Sequence, residues 1–98
     1  MFGLTDTELR QLKSVLLTYK GVEKAILYGS RARGTNQPYS DIDIALVGAS
    51  LSLPDLAKLD TQIDDLYLPY TVDLNAIHRI KNPALLRSIA REGIEIKK

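Results

Sequence analysis

The chain is 98 residues long, enough for one domain and too few for two. Thirteen Lys and Arg stand against 12 Asp and Glu, a net charge of +1, so there is no broad basic surface for a long polynucleotide. The absence of cysteine excludes disulfides, thiolate chemistry and cysteine-ligated zinc.

Met1-Phe2-Gly3-Leu4-Thr5-Asp6 lacks the basic and apolar regions of a secretion signal, and no apolar run nears the ~20 residues needed to cross a bilayer. A soluble, cytoplasmic chain acting on a small anion or a protein is expected. Thr5-Asp6-Thr7-Glu8 fits a capping box, with Thr5 as N-cap and Glu8 three residues on. Leu9, Leu12, Val15 and Leu16 follow at helical spacing, which predicts a helix from about Asp6 to Tyr19, stopped by Gly21. Val22 to Tyr28 reads as a strand ending at Gly29.

Residues 30 to 40 read as a loop with a helical turn at Ser30 to Arg33, and Pro38 with its Gly, Asn and Ser neighbours is turn chemistry. Asp41 to Val47 alternates Ile42, Ile44 and Leu46 with Asp41, Asp43, Ala45 and Val47; apolar residues on both faces predict a central strand. Pro54 marks a helix start, carried by Leu56, Leu59, Ile63 and Leu66. Tyr70 to Ile77 is a third strand, and Asn82-Pro83 opens a last helix that runs to Gly93. Ile94 and Ile96 allow a short final strand. The order predicts an α/β (or α+β) layer domain: one small mixed β-sheet flanked by helices, a single unit over residues 1–98.

The chemistry concentrates in residues 29 to 43. Small residues at Gly29-Ser30 let backbone N–H groups approach a phosphate, and Ser30 carries a hydroxyl donor. Asp41 and Asp43, two apart on a strand, share a face and can reach one hard cation. Asp73 lies between Val72 and Leu74, which turn to the opposite face. Asp is depleted in strands and costly to bury unpaired, so it calls for a reason; a cation shared with an adjacent Asp41 strand supplies one. Taken singly, each element has a plainer reading: a strand-ending turn, a solvated strand edge, an Asp paired with an Arg.

Arg31 and Arg33 either clamp phosphates through their forked donors or serve as solubilising charges, and the expected nucleotide set is Gly29, Ser30, Arg31 and Arg33. Thr35 and Ser40 read as loop structure, and His78 as a surface residue. The five tyrosines show no stacking pattern, and Asp60, Asp64 and Asp65 form a solvated acidic face.

Leu27-Tyr28-Gly29-Ser30-Arg31-Ala32-Arg33-Gly34, followed by Ser40-Asp41-Ile42-Asp43-Ile44-Ala45, resembles the nucleotidyltransferase fold of the DNA polymerase beta superfamily. Within it the chain is similar to the minimal nucleotidyltransferases (MNT) that pair with HEPN proteins. The resemblance spans nearly the whole chain. It implies that Gly29 and Ser30 hold the triphosphate of ATP, that Asp41 and Asp43 ligate two Mg2+ ions, and that Asp73 completes the metal and catalytic site by helping to activate the attacking hydroxyl. It further implies a helical HEPN toxin as partner and AMP transfer to one of its tyrosines, with this chain as the antitoxin. A small-molecule or RNA-end acceptor, or a non-catalytic toxin-neutralising module, are the alternatives.

Overall fold

A computed structural model describes residues 1–97 of the chain. Helix α1 (Asp6–Leu16) opens on the expected capping box: the Thr5 hydroxyl accepts from the Glu8 N–H and the Glu8 carboxylate accepts from the Thr5 N–H. It ends at Leu16, three residues before Tyr19, and the N–H of the capping Leu17 closes the last turn on the Lys13 carbonyl. Strand β1 (Lys24–Tyr28) leads directly into α2 (Ser30–Arg33), a single helical turn closed by the left-handed Gly34. Strand β2 (Ile42–Val47) and helix α3 (Leu53–Asp64) follow. The start of α3 is a second capping box, Ser52 with Asp55, with Pro54 in the first turn where a missing N–H costs little.

Strand β3 (Val72–Ala76) is shorter than the sequence reading at both ends; at its C-terminal end Ile77–Arg79 coils into a 3-10 turn. Asn82 caps α4 (Pro83–Glu92), its side chain accepting from the Ala84 and Leu85 N–H groups, and β4 (Ile94–Ile96) closes the fold. One sheet of order β3-β2-β1-β4 results, with β2 and β1 central as the double-sided apolar pattern of β2 requires. β1 runs antiparallel to β2 and to β4, and β2 runs parallel to β3. The sheet is therefore mixed, the α/β arrangement expected of the sequence.

The two faces of the sheet divide the residues by alternation. Ile42, Ile44 and Leu46 join Leu27 and Leu74 on the face covered by α1 and α3, where Leu12, Leu16, Leu59 and Ile63 complete the main core. On the other face Tyr28 and Ala45 pack with Ile89 of α4. A one-residue slip of any strand would exchange these sets, so burial fixes the register. The same alternation decides where the acids go. Asp43 and Asp73 fall on the thinner face, with α4 beside them.

Candidate active site

Pairing of the strands gathers the acids that lie 30 residues apart in sequence. Asp43 is the register partner of Asp73 on one side and of Tyr28 on the other, so Tyr28, Asp43 and Asp73 form one row across β1, β2 and β3. Neighbouring strands are about 4.8 Å apart, which brings the two carboxylates within reach of one another. Asp41 sits two residues before Asp43, one position ahead of β2, and is exposed. The inferred adjacency of the Asp73 strand to the Asp41–Asp43 strand is thus present.

These carboxylates feel one another. The Asp43 carboxyl is pushed above the usual carboxylate range, first by partial burial, then by the charges of Asp73 and Asp41, while Arg33 pulls it back down. Burial, too, raises the Tyr28 phenol, against the lowering effect of a hydrogen bond from the Asn75 amide (3.4 Å) and with a smaller raising effect from Asp43 and Asp73. Among the described residues the single salt bridge is Arg33–Glu92, so none of the three aspartates is neutralised by a side-chain cation. Nor are three acidic or imidazole side chains already drawn together at ion-holding distance among those residues. The repulsion that Asp73 and Asp41 exert on Asp43 is what a divalent cation would relieve. Hard oxygen donors, unpaired and on one face, fit a magnesium ion.

Gly29 is the residue on which this geometry turns. Its backbone sits at φ +77°, ψ −156°, a region open to glycine, and a Cβ there would run into the Asp43 carboxylate. Strand β1 therefore ends in the one residue type that lets Asp43 stand against the turn. The peptide then enters α2 with Ser30, and the Arg33 N–H closes back on the Gly29 carbonyl (3.2 Å).

The two arginines of the motif part company. Arg31 is 2% exposed, and its guanidinium donates to the Ser40 carbonyl through Nε (3.2 Å) and Nη2 (2.7 Å) and to the Phe2 carbonyl through Nη1 (2.8 Å). It also lies over the Tyr70 ring, 4.6 Å from the centroid. This corrects the expectation that Arg31 contacts nucleotide: its fork is spent on tying the α2–β2 loop and the N-terminus together, and solvent does not reach it. Arg33 is exposed, and the partner of its guanidinium is Glu92.

Ser40 and Thr35 keep loop roles, Ser40 Oγ accepting from the Gln37 N–H (2.8 Å) and Thr35 Oγ1 donating to the Ser30 carbonyl (3.5 Å). His78 is exposed, and so are Asp60, Asp64 and Asp65. A cleft of about 290 Å³ lies beside β3, lined in part by Asp60, Asp64, Tyr70 and Thr71. Tyr28 and Asn75 adjoin the acids, Glu92 pairs with Arg33, and the sequence reading assigned none of the three to the site. For Tyr28 and Asn75 the alternation around Asp43 and Asp73 is a usable signal; Glu92 offers only an acid at a helix C-terminus, where the helix dipole disfavours one.

A four-stranded mixed sheet with aspartates paired across its central and edge strands, beside a glycine turn that opens a helix, is the architecture of a nucleotidyltransferase core. The comparison with known families makes this specific: the chain belongs to the polymerase beta nucleotidyltransferase family, whose model matches residues 10–98. A Methanocaldococcus jannaschii protein, named as a candidate protein adenylyltransferase, is 34% identical over 91 residues, covering 89% of this chain and 91% of the relative. The fold is shared with a chain of a toxin–antitoxin crystal structure holding AMP-PNP: TM-score 0.72, 22% identity, covering 96% of this chain and 73% of the other. It is shared also with a chain in the complex of tri-AMPylated Shewanella oneidensis HEPN toxin with MNT antitoxin (TM-score 0.70, 18% identity, 96% and 72% covered). Among the described residues no helix is long and apolar enough to cross a membrane.

Proposed function

We propose that this chain is a magnesium-dependent protein adenylyltransferase that moves AMP from ATP to a hydroxyl of a partner protein, and that it acts as the antitoxin of a HEPN-type toxin. The observation that carries the reading is the register pair Asp43–Asp73 beside a glycine that makes room for Asp43. Family membership supports the reaction class, and the relatives supply the acceptor class: one is named for protein adenylylation and another is a complex of an AMPylated toxin with its antitoxin. The AMP-PNP complex supports an adenine nucleotide as donor.

In this reading Gly29 and Ser30 bind the triphosphate through backbone N–H groups and the Ser30 hydroxyl, and Arg33 meets phosphate oxygens from the end of α2. Asp41, Asp43 and Asp73 would hold Mg2+, which when bound neutralises phosphate charge and makes an oxygen nucleophile available at neutral pH. Asp73, on the solvent-facing edge strand, accepts the proton of the incoming hydroxyl. The acceptor oxygen forms a bond to the α-phosphorus as the bond from that phosphorus to the bridging oxygen breaks. AMP stays on the acceptor and pyrophosphate leaves.

Incubation of the chain with its partner toxin, ATP and Mg2+ is expected to add AMP masses to the toxin, read by intact-protein mass spectrometry. An unchanged toxin mass where complex formation is demonstrated overturns the reading. Titration calorimetry with AMP-PNP is expected to show Mg2+-dependent binding that disappears in Asp41→Ala/Asp43→Ala.

A further inference from the structure

Arg33 is a cation near enough to Asp43 for its charge to be felt there, and such an arrangement has an obvious way to fail. A guanidinium that folded onto Asp43 would form an ion pair and take the oxygens that a metal needs. The placement of Arg33 and the identity of its partner bear on why it does not. Arg33 is one turn above Gly29, whose backbone abuts Asp43, so the two side chains spring from neighbouring parts of the fold. Yet its Nη1 is bonded to Glu92 Oε2 (3.4 Å), the last residue of α4 and 59 positions away in sequence.

Glu92 is oddly placed for stability alone. The C-terminal end of a helix carries partial negative charge, and a carboxylate there is disfavoured. The residue one turn earlier, Ile89, packs against Tyr28 and Ala45. Tyr28 is the register partner of Asp43, so α4 delivers Glu92 to the acid-bearing face of the sheet. The pair is partly exposed, 47% for the Arg33 side chain and 31% for Glu92, a range in which an ion pair contributes little stability but can still choose between two positions of a flexible arginine.

We propose that Glu92 is a positioning residue that holds Arg33 at the rim of the site, keeping its guanidinium off the Asp41–Asp43–Asp73 set so that the set stays open to a divalent cation. Arg33 thereby faces outward, where the phosphates of a nucleotide arrive. The inference rests on the metal and nucleotide reading above and adds to it a competition between Arg33 and the cation.

The test is direct Mn2+ binding, followed by the free-ion electron paramagnetic resonance signal, on the full chain without nucleotide. Glu92→Gln keeps the size and a polar head but releases the arginine, and is expected to weaken Mn2+ binding about threefold, in line with a modest exposed charge interaction. Glu92→Gln/Arg33→Gln is expected to return the affinity to within about twofold of wild type, because the competitor is gone. In AMP transfer, Glu92→Gln is expected to raise the Mg2+ concentration for half-maximal rate while leaving kcat at saturating Mg2+ unchanged. Equal Mn2+ affinity in wild type and Glu92→Gln overturns the inference and leaves the metal reading standing; so does a double variant as weak as the single one. A wild-type chain that takes up no Mn2+ overturns the inference, and the metal reading then stands or falls on Mg2+-dependent AMP-PNP binding. Thermal melting of each variant confirms that folded protein is being compared.

Discussion

Replacing Gly29 by alanine separates two costs that the structure places on the same residue. The first is conformational: φ +77° with ψ −156° lies in territory open essentially to glycine, and another residue there costs about 1–3 kcal/mol. The second is steric, because the added Cβ meets the Asp43 carboxylate and forces that side chain off its preferred rotamer for about 0.5–1.5 kcal/mol. Together, Gly29→Ala is expected to lose roughly 2–4 kcal/mol, a fall of ~10 °C or more in Tm for a domain of this size. Urea unfolding followed by circular dichroism gives the number by linear extrapolation.

The double variant isolates the steric part. Asp43→Ala removes the carboxylate and leaves the Asp43 Cβ 3.5 Å from the new methyl, an ordinary contact. Gly29→Ala on the Asp43→Ala background should therefore cost about 1 kcal/mol less than on wild type. Transfer activity should fall by about a hundredfold or more in Gly29→Ala alone, since a catalytic group moved by ~1 Å loses that much. Two results would refute the reasoning: a stability loss under about 0.5 kcal/mol, or strictly additive costs in the double variant. Either would mean that the turn does not stand against the carboxylate.

The other expectations concern single residues. Asp43→Asn should stabilise the metal-free chain at neutral pH. The raised folded-state pKa of Asp43 means that the folded chain binds its proton more tightly than the unfolded chain, so the stability linked to that proton is present at low pH and lost as pH rises through the folded value; the amide escapes that loss. Urea midpoints for wild type and variant should diverge toward neutral pH and converge in acid. Arg31→Met, which strands the Ser40 and Phe2 carbonyls, should cost about 3–5 kcal/mol by the same assay. Arg31→Lys should recover only part of that cost, because a single ammonium cannot reproduce the fork. Ser52→Ala should cost about 1 kcal/mol by loss of the α3 cap, with metal and AMP-PNP affinity unchanged in calorimetry.

Local signals in the sequence determined the elements. Thr5 with Glu8 and Asn82 with Pro83 set two helix starts by satisfying backbone N–H groups that the helix itself cannot. Ser52 with Asp55 sets a third in the same way, at the same spacing, next to the Pro54 signal. The alternation from Asp41 to Val47 gave a central strand, because apolar residues on both faces demand cover on both. The glycine–serine turn and the aspartate pair were likewise visible, since their chemistry depends on neighbours in the chain.

Tertiary structure decided what depends on distant neighbours. Which strand lies beside β2 is a matter of sheet order, and only the parallel pairing of β2 with β3 sets Asp73 against Asp43. Two arginines two residues apart are equivalent in a motif. The fold made them unlike by burying Arg31 under Tyr70 and the Phe2 and Ser40 carbonyls while leaving Arg33 at the surface to meet Glu92. Periodicity reports which face a side chain takes; it carries no information about the partner that waits on that face, and for these residues the partner fixes the role.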